Sequence, residues 1–262
     1  MDNATTIKTY SLTTGYVTGK ERKIITDRLD SELYRGRFVC LLGPNGAGKS
    51  TLLRTLAGFQ PPLSGKVEIM GHNPASYSSR EMSKLLSVVL TEKPLLENMD
   101  VEVLVSLGRA PYTDFWGRLG KSDHEAVNDA IRLIGIEELR HRQVQSLSDG
   151  ERQKVMIAKA FAQDTPIIFL DEPTAFLDYP SKVEIMLLLH NLARNLEKTI
   201  FMSTHDLDIA LQTADDIWLI DKKLGVTTGS HRQLTESGAL EKYFQRPGIR
   251  FDYSDGLFKI DL

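Results

Sequence analysis

The run Gly43-Pro44-Asn45-Gly46-Ala47-Gly48-Lys49-Ser50-Thr51 fits the pattern G-x-x-x-x-G-K-[ST] and constrains the chain more than any other segment. Phe38 to Leu42 before it is a short apolar run that reads as a buried strand. After it, Leu52, Leu53 and Leu56 fall at helical spacing, with Gly58 as a stop. A strand feeding a glycine-rich loop and then a helix points successive backbone N–H groups and a helix N-terminus at one place, which suits a polyphosphate. Lys49 adds a point charge for the outer phosphates, and the Ser50 hydroxyl suits Mg²⁺. The plain alternative is a glycine-rich turn that binds nothing, and the strand–loop–helix setting argues against it.

The 262 residues suit one compact domain or a core with a smaller inserted lobe. With 41% hydrophobic and 26% charged residues the chain reads as globular, and a net charge of −3 gives no electrostatic footprint for DNA or RNA. Cys40, the only cysteine, excludes an internal disulfide and reads as a buried structural thiol, compatible with a reducing compartment. Residues 1–6 lack the basic and apolar regions of a secretory signal. The longest apolar runs, Leu85 to Leu90 and Ile185 to Leu189, are far too short to span a membrane. A membrane role would have to come through a partner.

To about Gly36 the pattern predicts short strands and turns: Ile7 to Leu12, Tyr16-Val17 and Ile24 to Leu33. Lys66 to Gly71 reads as a further strand and turn. Helices are expected at Val101 to Leu107, Asp123 to Ile134 (with Asp123 as N-cap) and Glu151 to Phe161. Ile167 to Leu170, Thr199 to Ser203 and Ile217 to Ile220 return to strand, separated by helices at Ser181 to Leu196 and Asp206 to Thr213. This alternation predicts an α/β fold with a mainly parallel sheet, and the helix-rich middle reads as an insertion. Phe251, Tyr253, Leu257, Phe258 and Ile260 could pack as a small terminal hairpin.

Ile167 to Glu172 is an apolar strand ending in two carboxylates. Asp171 at its tip would hold Mg²⁺, directly or through water, and Glu172 could polarise an attacking water. Acidic residues also solvate strand ends with no further role; the phosphate loop favours the chemical reading. Ser148 and Gly150 open the helix through Ala162, either as a plain cap or as anion-binding N–H donors. His205, after the strand Thr199 to Ser203, is by itself more readily structural than functional.

Together these residues resemble the ATP-binding cassette (ABC) ATPases over most of the chain. Gly43 to Thr51 matches the Walker A pattern, and Ile167 to Glu172 resembles Walker B with its catalytic glutamate. Leu147 to Glu151 is similar to the signature segment, usually Leu-Ser-Gly-Gly-Gln. Ala175 to Asp178 is similar to the D-loop, His205 falls at the switch histidine and Tyr16 at the adenine-stacking aromatic. The resemblance implies a P-loop NTPase of RecA-like core, an N-terminal antiparallel β subdomain and an inserted helical subdomain. Residues 1–240 would form the cassette, with the core at approximately 1–90 and 163–240, the helical part at 91–162 and a short extension at 241–262. It implies ATP as substrate, with Gly43, Pro44, Asn45, Gly46, Ala47, Gly48, Lys49, Ser50 and Thr51 on its phosphates and Glu172, His205 and Lys49 as catalytic groups. Mg²⁺ would be held by Ser50, Asp171 and Glu92. A head-to-tail homodimer would bring Ser148, Gly150 and Asp178 to the opposite nucleotide.

The sequence departs from the family pattern at three positions. Glu92 stands where the Q-loop glutamine is usual, Asp149 replaces a signature glycine and Glu151 replaces the signature glutamine. A carboxylate at 92 remains a metal ligand, whereas one at 149 near a triphosphate must point away or pair with a cation. Leu107-Gly108-Arg109-Ala110-Pro111-Tyr112-Thr113 and Arg250 to Tyr253 resemble segments of ATPases from the iron–siderophore, haem and cobalamin uptake group. That implies an importer subunit on the cytoplasmic face of the inner membrane, partnered by an integral-membrane permease and, indirectly, a substrate-binding protein. Three rival readings are a soluble cassette acting on ribosomes or DNA, a docking module with weakened hydrolysis, and a kinase, which lacks any visible acceptor site. The first usually carries two cassettes or long coiled coils, which this chain does not show.

Overall fold

A computed structural model describes residues 4–19, 21–91 and 98–260. The central sheet holds β3 (Phe38–Leu42), β5 (Leu86–Val89), β6 (Ile167–Asp171), β7 (Thr199–Thr204), β8 (Asp216–Asp221) and β9 (Gly225–Gly229), in the order β5-β6-β7-β3-β8-β9. All neighbours are parallel except β8 and β9. Every residue of β3, β6 and β7 is buried, as expected for strands covered on both faces. Cys40 lies in β3 with no exposure, and burial pushes its thiol pKa up.

The parallel register aligns the C-terminal ends of three strands: Leu42 pairs with Thr204 and Asp171 with Ser203. The loop at Gly43, the acid Glu172 and His205 therefore leave the sheet along one edge, where ligands of open α/β sheets bind.

A second, antiparallel sheet has the order β2-β1-β4, from β1 (Thr5–Thr18), β2 (Glu21–Tyr34) and β4 (Ser64–Ile69). Where the sequence pattern predicts short pieces, β1 and β2 are 14-residue strands. The reason lies in their pairing, which shifts register at several points between Thr5 and Gly15, and each shift resets the alternation of inward and outward side chains. The α1 helix (Lys49–Leu56) follows the phosphate loop, and α2 (Ser79–Leu85) leads directly into β5.

The middle of the chain contains α3 (Val101–Ser106), α4 (Lys121–Ile134) and α5 (Asp149–Ala162), whose apolar faces (Val105, Val127, Ile131, Val155, Ala158) join the main core. Asp123 is not the N-cap of α4. Gly120 occupies that position, and Asp123, three residues in, accepts a hydrogen bond from the Gly120 N–H at 2.9 Å. Its carboxylate also meets Arg109 at 2.9 Å, both side chains under 10% exposed, and Arg109 donates to the Ala162 carbonyl at 2.8 Å. The neighbouring Gly108 has no room for a side chain, since a Cβ there would stand 2.3 Å from the Lys159 carbonyl oxygen. The Gly108-Arg109 pair thus seats α5. Arg109→Ala should strand a buried carboxylate and lower stability by about 3–5 kcal/mol. Chemical denaturation checks this, and a loss below 1 kcal/mol would contradict the packing role.

In the chain α6 (Tyr179–Asn195) lies between β6 and β7, and α7 (Leu207–Thr213), α8 (His231–Glu236) and α9 (Ala239–Phe244) follow β7. The terminal hairpin expected from the aromatic pattern is present as β10 (Ile249–Asp252) and β11 (Leu257–Ile260). Phe251 is buried against Phe258, ring centroids 5.0 Å apart, whereas Tyr253 and Ile260 are exposed.

Candidate active site

Three glycines shape the loop between β3 and α1 for different reasons. A Cβ on Gly43 would stand 2.3 Å from the Ile220 carbonyl oxygen, so Gly43 lets the loop start against β8. Gly46 (φ 73°) and Gly48 (φ 106°) hold left-handed backbone, and a Cβ on Gly48 would also strike Ile25 at 2.0 Å. Ala47 is buried and its N–H donates to the Pro44 carbonyl at 3.1 Å, while Pro44, Asn45 and Ser50 are exposed. The first intrahelical bond runs from Leu52 N–H to Gly48 O at 2.9 Å. The amides of Lys49, Ser50 and Thr51 thus open the helix toward the cleft.

Lys49 is only 5% exposed. Its ammonium donates to the Gly43 carbonyl at 3.0 Å and pairs with Glu172 Oε1 at 3.0 Å. Glu172 takes left-handed backbone (φ 48°), which costs a side-chain-bearing residue about 1–3 kcal/mol. Its amide is held by Ser203, through the carbonyl at 3.1 Å and Oγ at 2.9 Å. The same Ser203 hydroxyl donates to Asp171 Oδ1 at 2.6 Å. One serine therefore fixes both acids. The Asp171 carbonyl in turn accepts from the Thr91 hydroxyl at 2.7 Å.

Asp171 is 5% exposed and forms no ion pair among the described residues. A buried carboxylate held by a single hydroxyl is costly unless a cation balances it, and with the Ser50 hydroxyl it offers the hard oxygen donors that Mg²⁺ prefers. Among the described residues no cluster of three or more His, Cys, Asp or Glu could hold a metal alone. Glu92, expected as a third ligand, lies outside the described residues.

His205 Nδ1 stands 3.9 Å from Glu172 Oε2. Next to it, burial raises the carboxyl pKa of Asp206, but hydrogen bonds from Lys182 (2.6 Å) and Thr174 (2.7 Å) outweigh this and the net shift is downward. Asp206 thereby ties α6 to the end of β7.

Tyr16 is expected from sequence to stack a base, and it lines the same cleft of ≈ 270 Å³ as Lys49, Ser50, Thr51 and Glu172. Its cross-strand partner Lys23 also lines this cleft, with its ammonium 5.4 Å from the Tyr16 ring centroid. Ser148, Gly150 and Asp178 do not line it. Ser148 caps α5 reciprocally with Glu151, which Ser148 N–H meets at 2.8 Å. This backbone bond, the Ser148 hydroxyl and Arg142 (2.8 Å) hold the Glu151 carboxyl below its ordinary range. Asp178 caps α6 through Ser181, whose hydroxyl and N–H lower its pKa. Gly150 faces Leu177 and Ser181, placing the start of α5 beside the Asp178 loop as a second surface of the chain.

Ser203, Thr91, Lys23 and the Thr174–Lys182–Asp206 group escape sequence reasoning. The signal for Ser203 is its position one residue before the end of β7, in register with Asp171, and that becomes visible only once the strand order is known.

Comparison with known proteins places this architecture. The ABC transporter family profile matches residues 26–175. The ferric enterobactin transport ATP-binding protein of Escherichia coli is 34% identical over 233 residues, covering 89% of this chain and 84% of that protein. An ABC transporter assigned to the metal-chelate type, solved in an inward-facing conformation, superposes with a TM-score of 0.79 at 27% identity. The match covers 92% of this chain and 89% of that one. A bacterial ABC transporter cassette solved as a dimer gives 0.70 at 26% identity, covering 82% and 94%. The chain belongs to the ABC transporter family; it is an ATP-binding, ATP-hydrolysing member with the family's α/β fold. Among the described residues no helix is long and apolar enough to cross a membrane.

Proposed function

We propose that the chain is the ATPase subunit of an importer for a metal chelate of the ferric-siderophore, haem or cobalamin kind. It would act at the cytoplasmic face of the membrane with a separate permease and, indirectly, a substrate-binding protein. The observation that carries the chemistry is the Lys49–Glu172 pair at 3.0 Å, set beside Asp171 and a helix N-terminus. The cargo reading is supported by the relative that handles ferric enterobactin and by the metal-chelate transporter. The working division of the chain is an ATP-binding core at 1–90 and 163–240, a helical part at 91–162 and an extension at 241–262.

In this reading Tyr16 stacks the adenine, and Lys49 with the amides of Gly46 to Thr51 takes the phosphates. Ser50 and Asp171, with Glu92, hold Mg²⁺, which when bound neutralises phosphate charge. Lys49 exchanges its Glu172 partner for phosphate oxygens, and Glu172 turns to water. It accepts the water's proton as oxygen attacks the γ-phosphorus and the bond to the bridging oxygen of ADP breaks. His205, 3.9 Å from Glu172, keeps water and γ-phosphate in line.

The second surface, with Ser148, Gly150 and Asp178, meets the nucleotide of another copy in a two-fold dimer. The dimeric cassette supports this arrangement, as does Gly150 itself. Glycine in a first helical turn is unfavourable relative to alanine, yet a Cβ at 150 would touch nothing in its own chain closer than 3.8 Å. The absent side chain suits a group that approaches from another copy. Gly150→Ala should leave the melting temperature unchanged or raised while turnover falls at least tenfold, by the ~1.4 kcal/mol that a crowded methyl costs the closed dimer. Equal turnover would remove Gly150 from the interface.

The importer reading is tested by gentle solubilisation of native membranes and identification of what travels with the tagged chain. A multi-span permease is expected. Recovery only with ribosomal or DNA-repair proteins would overturn it.

A further inference from the structure

The loop between α3 and α4 carries two aromatic side chains that the ATPase chemistry does not use. Phe115 is 94% exposed and Trp116 76%, their rings edge to face at 5.5 Å. They are a protruding tip and not the wall of a groove. The tip is also braced by hydrogen bonds. Asp114 Oδ1 accepts the N–H groups of Trp116 (2.9 Å) and Arg118 (3.1 Å), and the Arg80 guanidinium of α2 binds the carbonyls of Pro111 and Thr113, each at 3.0 Å. Exposing two large rings on a pre-formed turn is unfavourable in water unless they enter another phase or partner.

The charges around the tip indicate which. Arg80, Lys84 (over the Tyr112 ring at 5.1 Å) and Arg118 belong to or touch the loop; of the carboxylates nearby, Asp114 is engaged by backbone, Asp123 is buried against Arg109 and Asp164 pairs with Lys198. Lys121 and Glu125 at the loop's end lie 4.0 Å apart and cancel, and Glu81 is turned into the cap of α2. A chain of net charge −3 is thus positive, among the described residues, around the Phe115–Trp116 tip. Paired aromatic rings flanked by cations suit the headgroup layer of an anionic bilayer, where rings sit at the interface and each nearby cation adds attraction.

We propose that the Phe115–Trp116 tip inserts into the headgroup region of an anionic membrane surface, with Arg80, Lys84 and Arg118 facing the lipid charges. This docking needs neither a permease nor nucleotide, so it stands apart from the importer reading.

Trp116 reports on itself, because Trp218, the chain's second tryptophan, is only 2% exposed. The full chain is mixed with vesicles of phosphatidylcholine alone or containing phosphatidylglycerol, and followed by tryptophan emission and co-sedimentation. Phosphatidylglycerol vesicles should shift emission to the blue and sediment the protein, with phosphatidylcholine much weaker. Trp116→Phe should abolish the shift while sedimentation persists. Phe115→Ser should weaken both, and Arg118→Gln should reduce partition by about fivefold. Emission that stays at its aqueous position with both vesicles overturns the proposal, as does a shift that survives in Trp116→Phe. A shift produced only by permease-containing membranes overturns it too, and assigns the tip to a protein partner.

Discussion

Glu172→Gln should lower steady-state ATP turnover by roughly 10²–10⁴-fold, the range that a positioned general base contributes, with ATP binding retained or tightened. The substitution is isosteric and keeps the Ser203 bonds to the backbone of residue 172. What it removes is the negative charge. That charge serves water in the proposed chemistry, and it also competes with phosphate for Lys49, whose ammonium it meets at 3.0 Å. Losing the base slows hydrolysis, and losing the competitor leaves Lys49 free for ATP. Phosphate release together with equilibrium nucleotide binding separates the two effects. Turnover within twofold of wild type would remove Glu172 from the reaction.

Lys49→Ala should have the opposite signature, with nucleotide affinity falling first. A charge-assisted hydrogen bond of about 1.5–3 kcal/mol corresponds to roughly 10–200-fold in affinity. The substitution also leaves Glu172 without its cation. Its side chain is 23% exposed, so water can solvate it and folding should survive. The expected result is a melting temperature close to wild type with a dissociation constant for ATP raised at least tenfold. An unchanged dissociation constant would contradict the placement of the polyphosphate on this loop. Combining Lys49→Ala with Glu172→Gln should lose more affinity than the sum of the single effects, because the gain from Glu172→Gln comes through freeing Lys49, which the double variant lacks.

The grouping of candidate residues at the sheet edge was largely legible in the residue order. β3, β6 and β7 are buried along their whole length, so their apolar runs stand out, and the residues that follow each strand are those that the parallel register brings together. Legibility fell wherever local pattern and tertiary contact part company. The register shifts in β1 hid a long strand, and β5 has only four residues directly after a helix. β9, α8 and α9 carried no periodicity strong enough to be anticipated. Asp123 looked like a cap because it begins an apolar helical pattern, but its buried bond to Arg109 places it inside the helix. Ser203 carries no motif, and its role exists only because β6 and β7 are neighbours. The separation of Ser148, Gly150 and Asp178 from the Lys49 cleft follows from the resemblance to the family, not from spacing.

That separation makes the head-to-tail dimer the central claim, and sedimentation velocity of Glu172→Gln tests it most directly. With ATP and Mg²⁺ at saturation the variant should sediment as a dimer holding two nucleotides per pair of chains, and without ATP as a monomer. A monomer that binds ATP at saturation yet never dimerises would contradict the account of how the two surfaces meet.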